Sequence, residues 1–347
     1  MSLKDEIVPI LKTIAVLSPA TFLFRGEPVQ VAPGPVQALA GFPNHPLPSM
    51  PLIREMQNVL YAHCYMRRFE EEQPRTSPVN LYSPDPAFLQ RLSDANSSEQ
   101  RWEAGWTIYS IAQNGQVWLQ KGDRQRSAVP GEFITSGVPG MPPRTGSIVS
   151  VLAPRESMNS QPGYYFAFGG TLSDIWDEFA LLRFYFNAPS ECAPDLLHYL
   201  ITSLNRYQVP FRMKAPSDPS LYQRVDTIVL YTAKRYYDVS VQIVRDMPRA
   251  TRAGLRASTP LFSRALEPGV GMAEDPGNGE SFGMHRCRMM AEGIVDAWMA
   301  GDQSVEARWN AIGARFSAGG FELHLPYLGA GSIDFHEVPA EVAFAYA

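Results

Sequence analysis

Residues 180–234 impose the tightest constraint on how this chain can fold. They hold three short apolar runs, each with a cation at an edge or in its middle: Arg183, Lys214 and Arg224. Leu182, Phe184 and Phe186 alternate with Arg183, Tyr185 and Asn187. A period of two is that of a strand, here with one apolar face and one face presenting Arg, Tyr and Asn. Phe211 and Met213 alternate with Arg212 and Lys214 in the same way, and Thr227 to Tyr231 is a β-rich run that begins just after Arg224 and Asp226. Between the first two runs, Leu196, Leu197, Leu200, Ile201 and Leu204 recur at helical spacing, and Pro194 and Asp195 suit a helix start. The local order is strand, helix, strand, strand, and it allows the polar faces of neighbouring strands to converge.

A chain of 347 residues that is 45% hydrophobic can bury a large core, as one large or two medium domains. The net charge of −5 argues against general nucleic-acid binding. The charge is uneven, however. Between Arg206 and Arg264, eleven Lys and Arg stand against four Asp and Glu. A cationic segment inside an acidic protein points to an anionic ligand rather than a polyanion track. Cys64, Cys192 and Cys287 match no metal spacing, and a sparse, odd set fits a reducing cytoplasm. Cys287 lies between Arg286 and Arg288, which would favour a thiolate, but no His or Asn motif supports a nucleophile. No signal-peptide pattern and no apolar run of spanning length is present, so neither export nor a membrane span is expected.

In chain order, residues 4–17 read as a short helix, 22–51 as mostly loop, and 51–69 as a stronger helix with His63 packed on its apolar face. A polar, Pro-containing connection follows, and a domain boundary is placed at residue 80. A short helix starts near Asp85, capped by Asp85 or Ser83. The stretch 102–122 reads as a hairpin closed by a type I′ turn at Asn114-Gly115. Residues 148–153 and 164–168 are further strands, with a long loop from Arg124 to Arg144 that is either a lid or an insert. Residues 235–247 read as a helix and 260–276 as loop. Ser281 opens a helix that buries Cys287, Met290, Ala291, Ile294 and Trp298, and 306–316 is a last amphipathic helix.

The chain carries no Walker A pattern, no GxGxxG after a strand, no HExxH, no GxSxG and no carboxylate pair spaced for a glycosidase or a metal. No cofactor and no metal is therefore expected. What remains is Lys, Arg, Tyr and His. Arginine recognises phosphate bidentately, and a lysine among other cations has a lowered pKa and can act as a general base.

The runs RFYFNAP, VPFRMKAP, RVDTIVLY and AEDPGNGESFGMHRC resemble the HopA-type effector family, whose relatives include lyase-like proteins of lanthipeptide and thioamitide biosynthesis. The resemblance covers roughly residues 90–340. It implies an α+β fold: an antiparallel or mixed twisted sheet flanked by helices, with a phosphothreonine-lyase-like domain over 81–347 behind an N-terminal helical region, 1–80. It also implies β-elimination of phosphate from phosphoserine or phosphothreonine in a ribosomally made precursor peptide, which leaves a dehydroamino acid. The phosphorylated peptide and a separate kinase would be the partners, since the chain has no nucleotide site. On this resemblance Lys214 is the base. Arg183 and Tyr185 fall where the lyases carry a Lys-x-His pair, so the acid is Tyr185 or else His285. Arg224 matches a phosphate-binding arginine and Tyr231 a substrate-positioning tyrosine, and Arg286 and Arg288 would complete the cage. The replacement of the acid histidine by tyrosine leaves a second reading open: a catalytically inactive relative that binds a peptide, a kinase or a host partner. Each residue also has a structural alternative. Arg183 and Arg224 could instead pair with Glu178 and Asp226, Lys214 could cap a strand, and His285 could serve only its helix start.

Overall fold

A computed structural model describes residues 2–32, 49–69, 84–137, 141–174 and 176–336, the side chain of residue 178 apart. The chain opens with α1 (Leu3–Lys12), in which Ser2 and Asp5 form a reciprocal cap. Three strands follow, β1 (Ile14–Ser18), β2 (Thr21–Phe24) and β3 (Glu27–Gln30), paired antiparallel in that order. Helix α2 (Met50–Leu60) runs on into one π-helical turn, Tyr61–Tyr65. Helix α3 (Pro86–Ala95) is capped by Asp85, whose carboxylate accepts from Phe88 N at 2.9 Å.

Strands β4 (Arg101–Ile111), β5 (Val117–Lys121), β6 (Arg124–Ala128), β7 (Phe133–Thr135) and β8 (Ile148–Ala153) make a five-stranded sheet in the order β6-β5-β4-β8-β7. It has a small core of its own, centred on Trp106, Ile108, Leu119 and Val151. The remaining elements are β9 (Glu156–Ser157), β10 (Tyr164–Phe168), β11 (Leu181–Phe186), α4 (Ala193–Arg206), β12 (Arg212–Pro216), β13 (Ile228–Ala233), α5 (Tyr237–Arg245), α6 (Arg249–Ala253), β14 (Arg264–Glu267), β15 (Val270–Glu274), α7 (Phe282–Met299) and α8 (Val305–Ala318). Their strands form a seven-stranded sheet in the order β14-β15-β11-β13-β12-β10-β9, with every pairing antiparallel. The fold is α+β.

The register of this sheet decides where the polar side chains meet. Residues directly opposite one another on neighbouring strands share a face. One row across the sheet reads Ala273, Arg183, Tyr231, Arg212, Phe168, and the next reads Gly271, Tyr185, Val229, Lys214, Phe166. On the opposite face Phe184 stacks on Tyr237 of α5, and Tyr199 of α4 donates to Ile243 O at 2.7 Å, which ties α4 and α5 together beneath the sheet. One hydrophobic core takes in Ile7, Leu52 and Met56 together with Phe184, Leu200 and Ile294.

Several elements differ from expectation. The region before residue 80 is not helical throughout, because β1–β3 lie where a helix end and a loop were expected; the boundary at 80 itself, like Ser83, lies outside the described residues. The segment 124–144 supplies β6 and β7, and 260–276 supplies the edge strand β14 and its neighbour β15. All five residues of β15 are buried, so it has no polar face to alternate, and Gly271 is there because a Cβ would stand 2.7 Å from Ser263 Oγ. At the 114–115 hairpin Gly115 has φ 81° while Asn114 keeps a negative φ, and Ala112 N bonds Gln116 O at 2.8 Å. That is a three-residue loop with its glycine in the left-handed region, not a type I′ turn.

Helices α7 and α8 cross where Gly293 meets Ile312: a Cβ on Gly293 would lie 2.6 Å from the Ile312 backbone. Alanine favours a helix over glycine by roughly 1 kcal/mol. The clash is with backbone, however, and overpacking costs about 1–3 kcal/mol or more. Gly293→Ala is therefore expected to be net destabilising, read as a lower midpoint in urea with an unchanged slope.

Candidate active site

Antiparallel pairing of β11, β13, β12 and β10 brings Arg183, Tyr185, Tyr231, Lys214 and Tyr164 to one cleft, with Arg224 and Asp226 entering from the turn before β13. Tyr61 and Tyr65, from the π-turn after α2, and Ser281 and Gly283, at the start of α7, close its far wall. The empty volume is about 390 Å³. Gly283 is required there, because a Cβ would sit 2.4 Å from the ring of buried Tyr65. Five of the eight residues singled out from the sequence thus converge: Lys214, Tyr185, Arg183, Arg224 and Tyr231.

The two arginines are held by carboxylates. Arg224 forms a bidentate pair with Asp226, at 2.7 Å from Nε to Oδ1 and 2.8 Å from Nη2 to Oδ2. It also donates to Tyr164 Oη at 3.2 Å and Tyr61 Oη at 3.1 Å. Arg183 pairs with Asp275 at 2.6 Å, and its guanidinium lies 5.3 Å from the centre of the Tyr231 ring. Glu178, the partner weighed for it, has its side chain outside the described residues. The guanidinium of Arg212 covers the same Tyr231 ring at 4.6 Å.

Lys214 differs from both arginines. Its Nζ sits 3.7 Å from the centre of the Tyr164 ring and has no carboxylate within ion-pair distance among the described residues. Burial lowers its pKa from 10.5 to about 8, aided by Arg224, Arg183 and Arg212 and opposed by Asp226. That is the shift a lysine base requires near neutrality.

Tyr185 is buried, and its hydroxyl has no hydrogen-bond partner, although Tyr65 packs edge-on at 6.4 Å between centroids. Burial raises its pKa, and the charge of Arg183 only partly offsets this. Tyr185 is a hydrogen-bond donor and a poorer acid than a free tyrosine. Burial likewise raises Tyr231, Tyr164 and Tyr61, the last to about 12.

The structure places the other three residues outside the cleft lining. His285 does not line the cleft. Its Nδ1 accepts from Arg286 Nη1 at 2.8 Å and its ring meets Phe321 edge-on. Burial, with Arg286 and Arg288 beside it, pulls its pKa down to about 3, so it is neutral near pH 7 and has no acidic imidazolium proton to give. Arg286 is wholly buried and donates to Pro326 O at 2.7 Å and Leu328 O at 2.6 Å, which pins the segment after α8. Arg288 pairs with Glu280 at 3.1 Å and Glu292 at 2.9 Å. Cys287 is buried beside them, and burial holds its thiol well above the usual range. The side chains of His285, Arg286 and Arg288 are thus engaged in packing and ion pairs around α7, while Ser281 and Gly283 at its start line the cleft.

The sequence reading missed Tyr61, Tyr65, Tyr164 and Arg212. The signal for Arg212 was its alternation with Lys214, and for Tyr164 its place two residues before Phe166 on a recognised strand. For Tyr61 and Tyr65, four apart on a helix, nothing local marks them as reaching a sheet more than a hundred residues away.

A depressed lysine pKa is a stability cost at pH values where the unfolded chain's lysine is protonated. Between pH 8 and 10.5 the unfolded chain binds a proton at Lys214 that the folded chain has released, so stability rises with pH across that window. Below it the full penalty applies, on the order of 3 kcal/mol at 1.36 per unit. Lys214→Met is therefore expected to melt higher than the native chain at pH 7, with the difference vanishing by about pH 11 in a calorimetric series.

A model of the HopA1 effector protein family matches residues 155–328. Among solved structures, the effector protein from Pseudomonas syringae pv. tomato strain DC3000 is 21% identical, with a TM-score of 0.37 over 48% of this chain and 62% of that one. The chain therefore spans less than two thirds of that effector's length. The effector protein from Pseudomonas syringae pv. syringae strain 61 is 13% identical, with a TM-score of 0.41 over 80% of this chain and 95% of that one. No match was found among curated proteins.

Proposed function

The chain belongs to the HopA1 effector protein family, and from that premise we propose that it is a phosphoserine/phosphothreonine lyase acting on a ribosomally made peptide. The observation that carries this reading is Lys214: an amine without a carboxylate partner, lowered to about 8, in a cleft whose other cations are arginines. Neutral Lys214 takes the proton from Cα of the phosphorylated residue. The electron pair of that C–H bond becomes the Cα=Cβ double bond, the Cβ–O bond breaks, and phosphate leaves with the bonding pair. The products are a dehydroamino acid, phosphate and protonated Lys214.

Arg212 has no carboxylate partner among the described residues and stands beside Lys214 on the same strand face, so it supplies charge to the departing phosphate. Arg183 and Arg224 line the rest of the cleft. Tyr185 donates a hydrogen bond to a phosphate or carbonyl oxygen, which would satisfy its idle hydroxyl. Phosphate needs no strong acid to depart. The peptide is phosphorylated beforehand by a separate kinase, and we place the reaction in the cytoplasm. No helix among the described residues is long and apolar enough to cross a membrane.

One observation favours a second reading. Arg224 and Arg183 already satisfy Asp226 and Asp275, an arrangement suited to holding a peptide without chemistry. The two readings separate in one assay. A phosphothreonine peptide incubated with the protein should lose the mass of phosphoric acid; an unchanged mass with measurable binding supports the binding module.

The elimination rate should climb with pH and level off above about 8, because only the neutral amine is the base. Lys214→Ala should abolish elimination, by at least about a thousandfold, while peptide affinity changes little. Arg212→Gln should weaken affinity and rate together. Full activity in Lys214→Ala would remove the lysine from the mechanism.

A further inference from the structure

A second cavity lies where the five-stranded sheet meets the β10 edge of the main sheet. It has about 590 Å³ of empty space, and Arg101, Arg124, Arg126, Glu103, Phe168 and Leu172 are among its walls. Its charges do not balance. Glu103 is its one lining carboxylate, and it is already shared by Arg124 at 3.0 Å and Lys121 at 3.1 Å. Arg101 donates through Nη1 to Gly169 O, but its Nε is buried without a partner. Among the described residues Arg126 reaches only Leu152 O, at 3.4 Å. Three guanidiniums around one spent carboxylate, in a recess with low-dielectric walls, concentrate positive potential.

The cavity also lies along the sheet face that leads from the active-site cleft. Phe168, on its wall, pairs directly with Arg212, and Phe166 with Lys214. The two phenylalanine rings stack at 6.4 Å between centroids and 17° between planes. The sheet face that carries the lysine base therefore runs, by way of this apolar pair, into the arginine cavity. One strand spacing sideways, two residues along the strand and the reach of an arginine amount to roughly 10–15 Å. An extended peptide covers that distance in about three to five residues.

We propose that this cavity is a specificity subsite that holds an acidic side chain, carboxylate or phosphorylated, about three to five residues from the residue that loses phosphate. The proposal rests on the peptide-lyase reading for its substrate and names the flanking chemistry that substrate carries. Carboxylate and phosphate share the ligand chemistry of a guanidinium fork, and Phe168 and Leu172 supply the apolar wall for the stem of the side chain. Residues 101–153, which supply the three arginines, precede the stretch matched by the family model, so the subsite is built by a part of the chain outside that match.

The test uses the full chain and three fluorescein-labelled peptides that share one phosphothreonine: one with a glutamate run at that spacing, one with a second phosphothreonine there, and one with alanines. Anisotropy should show both acidic peptides binding at least about tenfold tighter than the alanine peptide, more so at low salt. Arg126→Gln should erase most of that preference, and Arg126→Glu should reverse it. The turnover number on the alanine peptide should stay unchanged in both. If either variant is poorly folded, half-exposed Arg124 offers Arg124→Gln as a milder equivalent. Equal binding of all three peptides by the native chain would overturn the proposal, as would a preference that survives these substitutions or tighter binding of an oligonucleotide of matched charge. If the acidic preference and its loss in Arg126→Gln are seen while no peptide loses phosphate, the subsite stands and the lyase reading falls.

Discussion

The ion pair between Arg224 and Asp226 is what the cleft is assembled around. Asp226 is 7% exposed, and an arginine buried beside it without that carboxylate would be an uncompensated charge, costing roughly 3–5 kcal/mol. With the carboxylate in place, the guanidinium still has donors left over, and it spends them on Tyr61 from the π-turn and Tyr164 from β10. Segments separated by more than a hundred residues are thereby fixed to one another at the cleft floor. Tyr164, held in this way, presents its ring to Lys214. The position of Lys214 thus depends on a pair in the turn before the neighbouring strand β13.

The same pair sets the charge that Lys214 feels. Arg224 and Asp226 act on it in opposite directions, so the carboxylate offsets part of the guanidinium's effect, and burial is the largest cause of the depressed pKa. This matters once a phosphate dianion arrives. Its attraction for an ammonium works against deprotonation, by several kcal/mol at close range even with an effective dielectric near 20. A base lowered only by neighbouring cations would lose that advantage as the phosphate neutralised them. A base lowered mainly by desolvation keeps it, because the substrate also excludes water.

How much of this could be read beforehand follows from where the information sits. The alternation of Arg183 and Tyr185 with Leu182, Phe184 and Phe186 is local, and it put those side chains on the correct face of β11. The same holds for Lys214, whose lowered pKa follows from its neighbours' burial and charge. Strand β15 was invisible because burial on both faces leaves no period-two signal, and its Gly271 and Ala273 read as loop. The α7 residues misled for a physical reason. An arginine or histidine at the start of a helix serves an anion site only if its own side chain faces the cavity. Here Arg286 turns instead to the carbonyls of Pro326 and Leu328, and that contact is set by forty intervening residues.

Tyr231 shows what distinguishes the cleft from an ordinary polar sheet face. Arg183 and Arg212 flank it from the two neighbouring strands and both lie over its ring. Two guanidiniums on one ring repel each other, and only one of them, Arg183, has its charge answered by a carboxylate. An anion entering the cleft would relieve that repulsion at Arg212 without breaking the Arg183–Asp275 pair. Lys214 in the cleft and Arg212, two residues before it and over the Tyr231 ring, are therefore the cations there without a carboxylate partner among the described residues. They also pair with Phe168 and Phe166, so on the proposed lyase reading the strand pairing that holds Lys214 in the cleft would lead the rest of a bound peptide along β10.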